Sequence, residues 1–112
     1  MEDEVTVARI YISEADHGRR TSLMKEMLRI LHDEQQVRGV VVFRGIAGFG
    51  AGGAVMAEDM LRLNVDLPLV MEFFEAQAKA EAALAVLGTM VPPGHIIKWT
   101  ARMHLTAPPQ SA

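Results

Sequence analysis

Between Arg38 and Gly53 the chain reads RGVVVFRGIAGFGAGG, a run of β-branched and aromatic residues that stops abruptly in glycine. Glycine lets a bound group come close to the main chain, and successive glycine N–H groups form a donor surface suited to an anion. No acidic residue lies from Gln35 to Ala57, so Arg38 and Arg44 stand in a locally positive stretch of a chain whose net charge is -3. A second acid-free stretch follows Glu81 and holds Gly94, His95, Lys98, Arg102 and His104. One stretch supplies main-chain amides and the other cationic side chains, a pairing that predicts an anion site. Phosphate is the anion most often held by such donors. The candidate residues are Arg44, Gly45, Gly48, Phe49, Gly50, Gly94, His95, Lys98 and Arg102, with Arg9, Arg62 and His104 behind them.

Other chemistries fit less well. The absence of cysteine excludes disulfides, thiolate zinc sites and a cysteine nucleophile. His17, His32, His95 and His104 are scattered without metal-ligand spacing, so no metal site is expected. Gly48, Gly50 and Gly53 satisfy GxGxxG, but the pattern begins beyond the strand end and too little chain remains for a second nucleotide-binding half. The same loop lacks the Lys-Ser/Thr of a phosphate-binding P-loop. A sequence pI of about 5.7 argues against a general nucleic-acid binder. With no nucleophile and base pair and no acidic dyad, a binding module is expected rather than an enzyme. Each cation also has a plainer role: Arg44 pairing with Asp59, Glu72 or a neighbouring subunit's carboxylate, and Lys98 and Arg102 solvating a strand face.

The elements that must position these residues follow from periodicity. Val5 to Ser13 reads as a strand, with Thr6, Ala8, Ile10 and Ile12 on one face and Val5, Val7, Arg9 and Tyr11 on the other. After a turn from Glu14 to Arg20, apolar residues from Leu23 to Leu31 recur at helical spacing within a helix from Thr21 to about Gln36, capped by Thr21 or Ser22. Val40 to Gly45 is the second strand. Residues 46–66 form a long connection, more functional than incidental at that length, in which Val55 to Leu63 is either helical or extends a hairpin. Leu67 to Glu75 is the third strand and Gln77 to Val91 an alanine-rich helix that Gly88 is placed to end early. Pro92, Pro93 and Gly94 force a turn. From His95 to Leu105, Ile97, Trp99, Ala101, Met103 and Leu105 alternate with Lys98, Thr100, Arg102 and His104. The tail, 106–112, is expected to be disordered.

This order predicts one α+β domain over residues 1–105: a ferredoxin-like β-α-β-β-α-β sandwich, a four-stranded antiparallel sheet with two helices on one face. The first and fourth strands become neighbours, which predicts Arg9 beside Lys98 and Arg102 on the uncovered face. Half of the residues are hydrophobic and 22% charged, so a subunit interface is expected. The acidic start MEDEV has no signal-peptide character, and the glycines and Arg44 of the apolar stretch suit a loop rather than a membrane span; a cytoplasmic protein is expected.

FRGIAGFG (Phe43 to Gly50), MLRL (Met60 to Leu63) and the DLP of Asp66 to Pro68 leading into a strand resemble the PII-like family catalogued as domain of unknown function 190, over roughly Val5 to Leu105. The resemblance implies a ferredoxin-like subunit in a PII-like homotrimer. It implies an adenine nucleotide (AMP, ADP or ATP) in clefts between subunits, and signal transduction through a T-loop-like segment, here 46–66, to a partner protein such as a membrane transporter or channel. Gly48, Phe49 and Gly50 resemble the Gly-Phe-Gly at the base of the PII loop, and Pro93, Gly94 and His95 stand where PII proteins place a glycine turn. The lysine that follows that glycine in PII proteins is His95 here, and the later Arg-x-Arg pair is replaced by Lys98, Arg102 and His104. The alternative within the same superfamily is a CutA-like structural or divalent-metal-responsive trimer; a small enzyme acting on an anionic metabolite stands third.

Overall fold

A computed structural model describes residues 2–12, 20–45, 47–49, 55–57 and 69–106. The elements are β1 (Glu2–Ile12), α1 (Arg20–Arg29) continuing through a π-helical turn at Ile30–Glu34, β2 (Val40–Arg44), β3 (Ala47–Phe49), β4 (Val55–Ala57), β5 (Leu69–Glu75), α2 (Gln77–Leu87) and β6 (Ile96–His104). Strands β2, β5, β1 and β6 lie in that order in an antiparallel sheet. With two helices, this is the expected ferredoxin-like α+β arrangement. Within the long connection, β3 and β4 pair antiparallel from Ala47↔Ala57 to Phe49↔Val55, so its described part takes the hairpin rather than the helix. Residues 13–19, 58–68 and 107–112, and with them the expected first turn, Arg62 and most of the tail, lie outside the described residues.

Alternation sorts the sheet into two faces. Ala8, Ile10 and Ile12 of β1 and Met71 and Phe73 of β5 are buried against Met27, Ile30 and Leu31 from the first helix and Ala80, Ala83 and Leu87 from α2. Small alanines let α2 approach the sheet closely, while Phe73 and Met27 fill the space between the layers. At the end of α1, Gln35 N–H donates to Ile30 C=O over 2.8 Å, one residue further back than in an α-helix. The adjacent residues Ile30 and Leu31 both reach the core there.

Some boundaries differ from expectation. The first helix already includes Arg20, so Thr21 and Ser22 sit in its first turn and not at its cap. The strand β1 begins at Glu2 because β6 continues far enough to pair Glu2 with His104. The second helix stops at Leu87, where Gly88 N–H closes the last turn on Leu84 C=O at 2.8 Å. Among the described residues no helix is long and apolar enough to cross a membrane.

Glu75 joins three parts of the chain. Its carboxylate is 3% exposed and accepts N–H bonds from Arg38 at 3.0 Å and Ala76 at 2.9 Å, with Arg38 Nε and Lys79 Nζ each 3.5 Å away. Burial pushes this carboxyl up; the Ala76 N–H, the Lys79 ammonium and the Arg38 N–H outweigh it and hold the group below the ordinary glutamate value.

Candidate functional site

The ladder registers place the predicted site residues on a common grid. Arg44 pairs with Leu69, and Leu69 with Ile12. Ile10 pairs with Ile96, so continuing that antiparallel register brings Ile12 level with Gly94. Arg44 and Gly45 at the end of β2 and Gly94 and His95 before β6 therefore share one end of the sheet. They occupy its opposite edges, three strand spacings or roughly 14 Å apart. Gly48 and Phe49 lie in β3, which follows Gly45 along the chain. Gly50 and Arg62 lie outside the described residues.

The turn at Gly94 is built for a fixed shape. Gly94 takes φ +85, where a side chain would be strained, and His95 N–H closes the turn on Pro92 C=O at 3.3 Å. Tyr11 staples the turn to β1: its N–H donates to His95 C=O at 2.8 Å, and its own carbonyl stands 3.1 Å from His95 Nδ1. A carbonyl only accepts, so Nδ1 carries the proton, which leaves Nε2 as the ring atom offered to a ligand. Nothing in the sequence singled out Tyr11 for this position, since the bonds use its main chain.

The cations divide. Lys98 pairs with Ala8, on the helix-covered side, and its ammonium meets Glu81 of α2. Arg102 pairs with Glu4 and reaches Glu2 at 3.5 Å; with His104 it lies seven to nine residues beyond His95, roughly 23–30 Å along the strand. Arg9 faces the opposite side. There its Nη2 and Nε bind Glu72 Oε1 at 2.7 and 3.0 Å, and its guanidinium lies 5.4 Å from the centre of the Trp99 ring. The expected cluster of Arg9, Lys98 and Arg102 on the uncovered face is thus not formed. Register aligns Arg9 with Ile97, and alternation then sends Lys98 and Arg102 to the other face. Glu72, weighed as a partner of Arg44, is taken by Arg9. The Glu72 carboxylate, and after it the Tyr11 hydroxyl, hold the Arg9 guanidinium above its ordinary value.

What remains at the sheet end, among the described residues, is the Arg44 guanidinium and the glycine turn, donors for phosphate or carboxylate oxygens, and an oriented imidazole whose Nε2 joins them as a donor in the protonated ring. Among the described residues no group of three or more His, Asp or Glu side chains is gathered as a metal site.

Comparison with known proteins supplies the relatives. The model of the DUF190 family, described as Uncharacterized ACR, matches residues 5–103. A UPF0166 protein of Methanocaldococcus jannaschii is 31% identical over 81 residues, 72% of this chain and 73% of that one. Among solved structures, CPII from Thiomonas intermedia K12, bound to ADP and bicarbonate, superposes with a TM-score of 0.54 at 10% identity over 92% of this chain and 89% of that one. CutA from Synechococcus elongatus PCC7942 superposes with a TM-score of 0.57 at 11% identity, over 90% of this chain and 79% of that one. At such identities these two structures establish the shared fold.

Proposed function

The chain belongs to the DUF190 family, and from that premise we propose that it is a PII-like regulatory module. It binds the phosphates of an adenine nucleotide in clefts between copies of itself and signals through residues 46–66 to a protein partner. The observation that carries this reading is the placement of Arg44 and the Gly94–His95 turn at one end of the sheet but on opposite edges. Neither edge alone surrounds a polyphosphate. Two copies set edge to edge bring the Arg44 of one beside the His95 turn of the other, and the glycine-rich connection follows directly from Arg44. The ADP in the Thiomonas CPII structure supports the choice of ligand class. The loop's partner is a protein, with a membrane transporter or channel the first class to screen, and the module acts by binding rather than by turnover.

Calorimetry of the full chain with AMP, ADP, ATP and cyclic nucleotides tests the reading. Binding should be seen with at least one of them, and Arg44→Ala and His95→Ala should each weaken it by about tenfold or more, as the loss of a charge-assisted hydrogen bond does. No binding, or binding that both variants leave intact, rejects it. Divalent-metal binding lost in histidine variants, with no nucleotide effect, favours a CutA-like role instead. Turnover of a phosphorylated metabolite in a substrate screen reverses the non-enzymatic assignment.

A further inference from the structure

One step past the Ile10↔Ile96 pair, Tyr11 and His95 stand opposite each other in the β1–β6 ladder, at a position where antiparallel residues exchange two main-chain bonds. The main chain makes only one of them. Tyr11 N–H donates to His95 C=O at 2.8 Å, while His95 N–H turns back to Pro92 C=O at 3.3 Å to close the glycine turn. The imidazole takes the vacated place, with Nδ1 3.1 Å from the Tyr11 carbonyl. The ring is thus a member of the ladder, and the proton it uses there is fixed on Nδ1.

A neutral imidazole carries one proton, so with Nδ1–H committed to Tyr11 the neutral Nε2 presents a lone pair. A phosphate oxygen meeting that lone pair is repelled; the same oxygen meeting Nε2–H of the charged ring gains a charge-assisted hydrogen bond. Had the neutral ring held its proton on Nε2, it would donate there at any pH. The Tyr11 carbonyl denies it that state.

We propose that phosphate binding at this site is linked to proton uptake at His95 Nε2, so that the module responds to pH as well as to nucleotide. This rests on the function proposed above, whose other donors do not titrate near neutrality: arginine stays charged and main-chain N–H groups stay neutral. Imidazole is the side chain whose ordinary titration lies between about pH 5 and 8. On the neighbouring elements, β1 brings the Tyr11 phenol and the Arg9 guanidinium, which Glu72 holds, and β6 brings Lys98, which Glu81 of α2 holds. Pro92, Pro93 and Gly94 bring no charge. Glu14, Asp16, His17 and Arg19, next along the chain from β1, lie outside the described residues. The sign of the linkage is fixed: the ligand favours the charged ring, so affinity is highest at acid pH. It falls as pH rises, by at most about tenfold per pH unit for one proton.

Calorimetric titration of the full chain with ADP from about pH 6 to about pH 8.5, in pairs of buffers of different ionisation enthalpy, reads both Kd and protons taken up. The terminal phosphate of ADP titrates in the same range. The readout is therefore the difference between wild type and His95→Lys, in which the protons of the ligand and of Glu14, Asp16 and His17 cancel. Over this range the wild-type Kd should rise by about tenfold more than that of His95→Lys. His95→Gln, which donates a neutral N–H at every pH, should follow the profile of His95→Lys. Ring-nitrogen NMR of histidine-labelled wild type gives a second readout: the neutral His95 ring should carry its proton on Nδ1, and ADP at saturation should bring a proton to Nε2. A neutral ring protonated on Nε2, or ADP binding with the same pH profile and proton uptake in wild type and both variants, would overturn the proposal and leave the nucleotide reading standing. Should either variant not fold, the wild-type ring spectra decide. If AMP, ADP and ATP all fail to bind across this pH range, both readings fall together.

Discussion

Lys98 stands directly across from Ala8 in the β1–β6 ladder, and its ammonium closes on Glu81 of α2. One cation of the expected anion site is thereby a tie between the edge strand and the second helix. Both partners are about half exposed. Lys98→Ala should therefore change unfolding free energy by no more than about 1 kcal/mol in urea titrations. A larger fall in nucleotide affinity than in stability would mark Lys98 as a ligand contact; equal small effects would confine it to the tie.

Glu75 predicts an acid limb in the stability profile. Its folded value lies below the ordinary 4.5, so its contribution is complete above that pH and is lost as pH falls through the folded value. Urea unfolding between pH 7 and pH 3 should show stability dropping at the acid end, and Glu75→Gln should flatten that drop. At neutral pH Glu75→Ala, which leaves the Arg38 and Ala76 N–H groups without their acceptor, should cost about 2–4 kcal/mol. An acid limb unchanged in Glu75→Gln would assign it to other carboxylates.

Phe73 and Phe74 are neighbours in sequence and opposites in setting, 1% and 37% exposed. Phe73→Ala should cost about 3–5 kcal/mol at any protein concentration, as a core cavity does. Phe74→Ala should act mainly on association, with a loss of stability that grows with concentration relative to wild type. Equal, concentration-independent losses would place both rings in the core of a single copy.

Gly94 at φ +85 sets the turn that carries His95. Gly94→Ala should lower stability by about 1–2 kcal/mol in thermal melts, the cost of left-handed backbone for a residue with a Cβ. Because open space surrounds the added methyl, any change in ligand affinity reports the displacement of His95 and not a clash.

Much of this architecture is legible in the residues. The alternation of Thr6, Ala8, Ile10 and Ile12 names the buried face of β1, and all four are buried. The alternation of β6 is also read correctly, but not which set faces the helices. Apolar Ile97 and Trp99 turn to the open side and Lys98 toward α2, because the face away from the helices is itself apolar and Lys98 finds Glu81 at the helix surface. A one-residue choice of register decides this, and register depends on both strands at once. The same holds for the candidate site. Glycines and basic residues mark Arg44 and His95 individually, while their shared level at the sheet end depends on the pairings through Leu69 and Ile12. Main-chain bonds such as Tyr11 to His95 leave no trace in side-chain composition.

The strand β6 forms one margin of the sheet, and among the described residues its nine positions have a neighbouring strand on the β1 side alone. An open strand margin is a template on which stray strands can pair and grow into fibres. Lys98 and Arg102 stud that margin with exposed basic side chains, which on an edge strand disfavour the pairing of a further strand whether or not they meet a ligand.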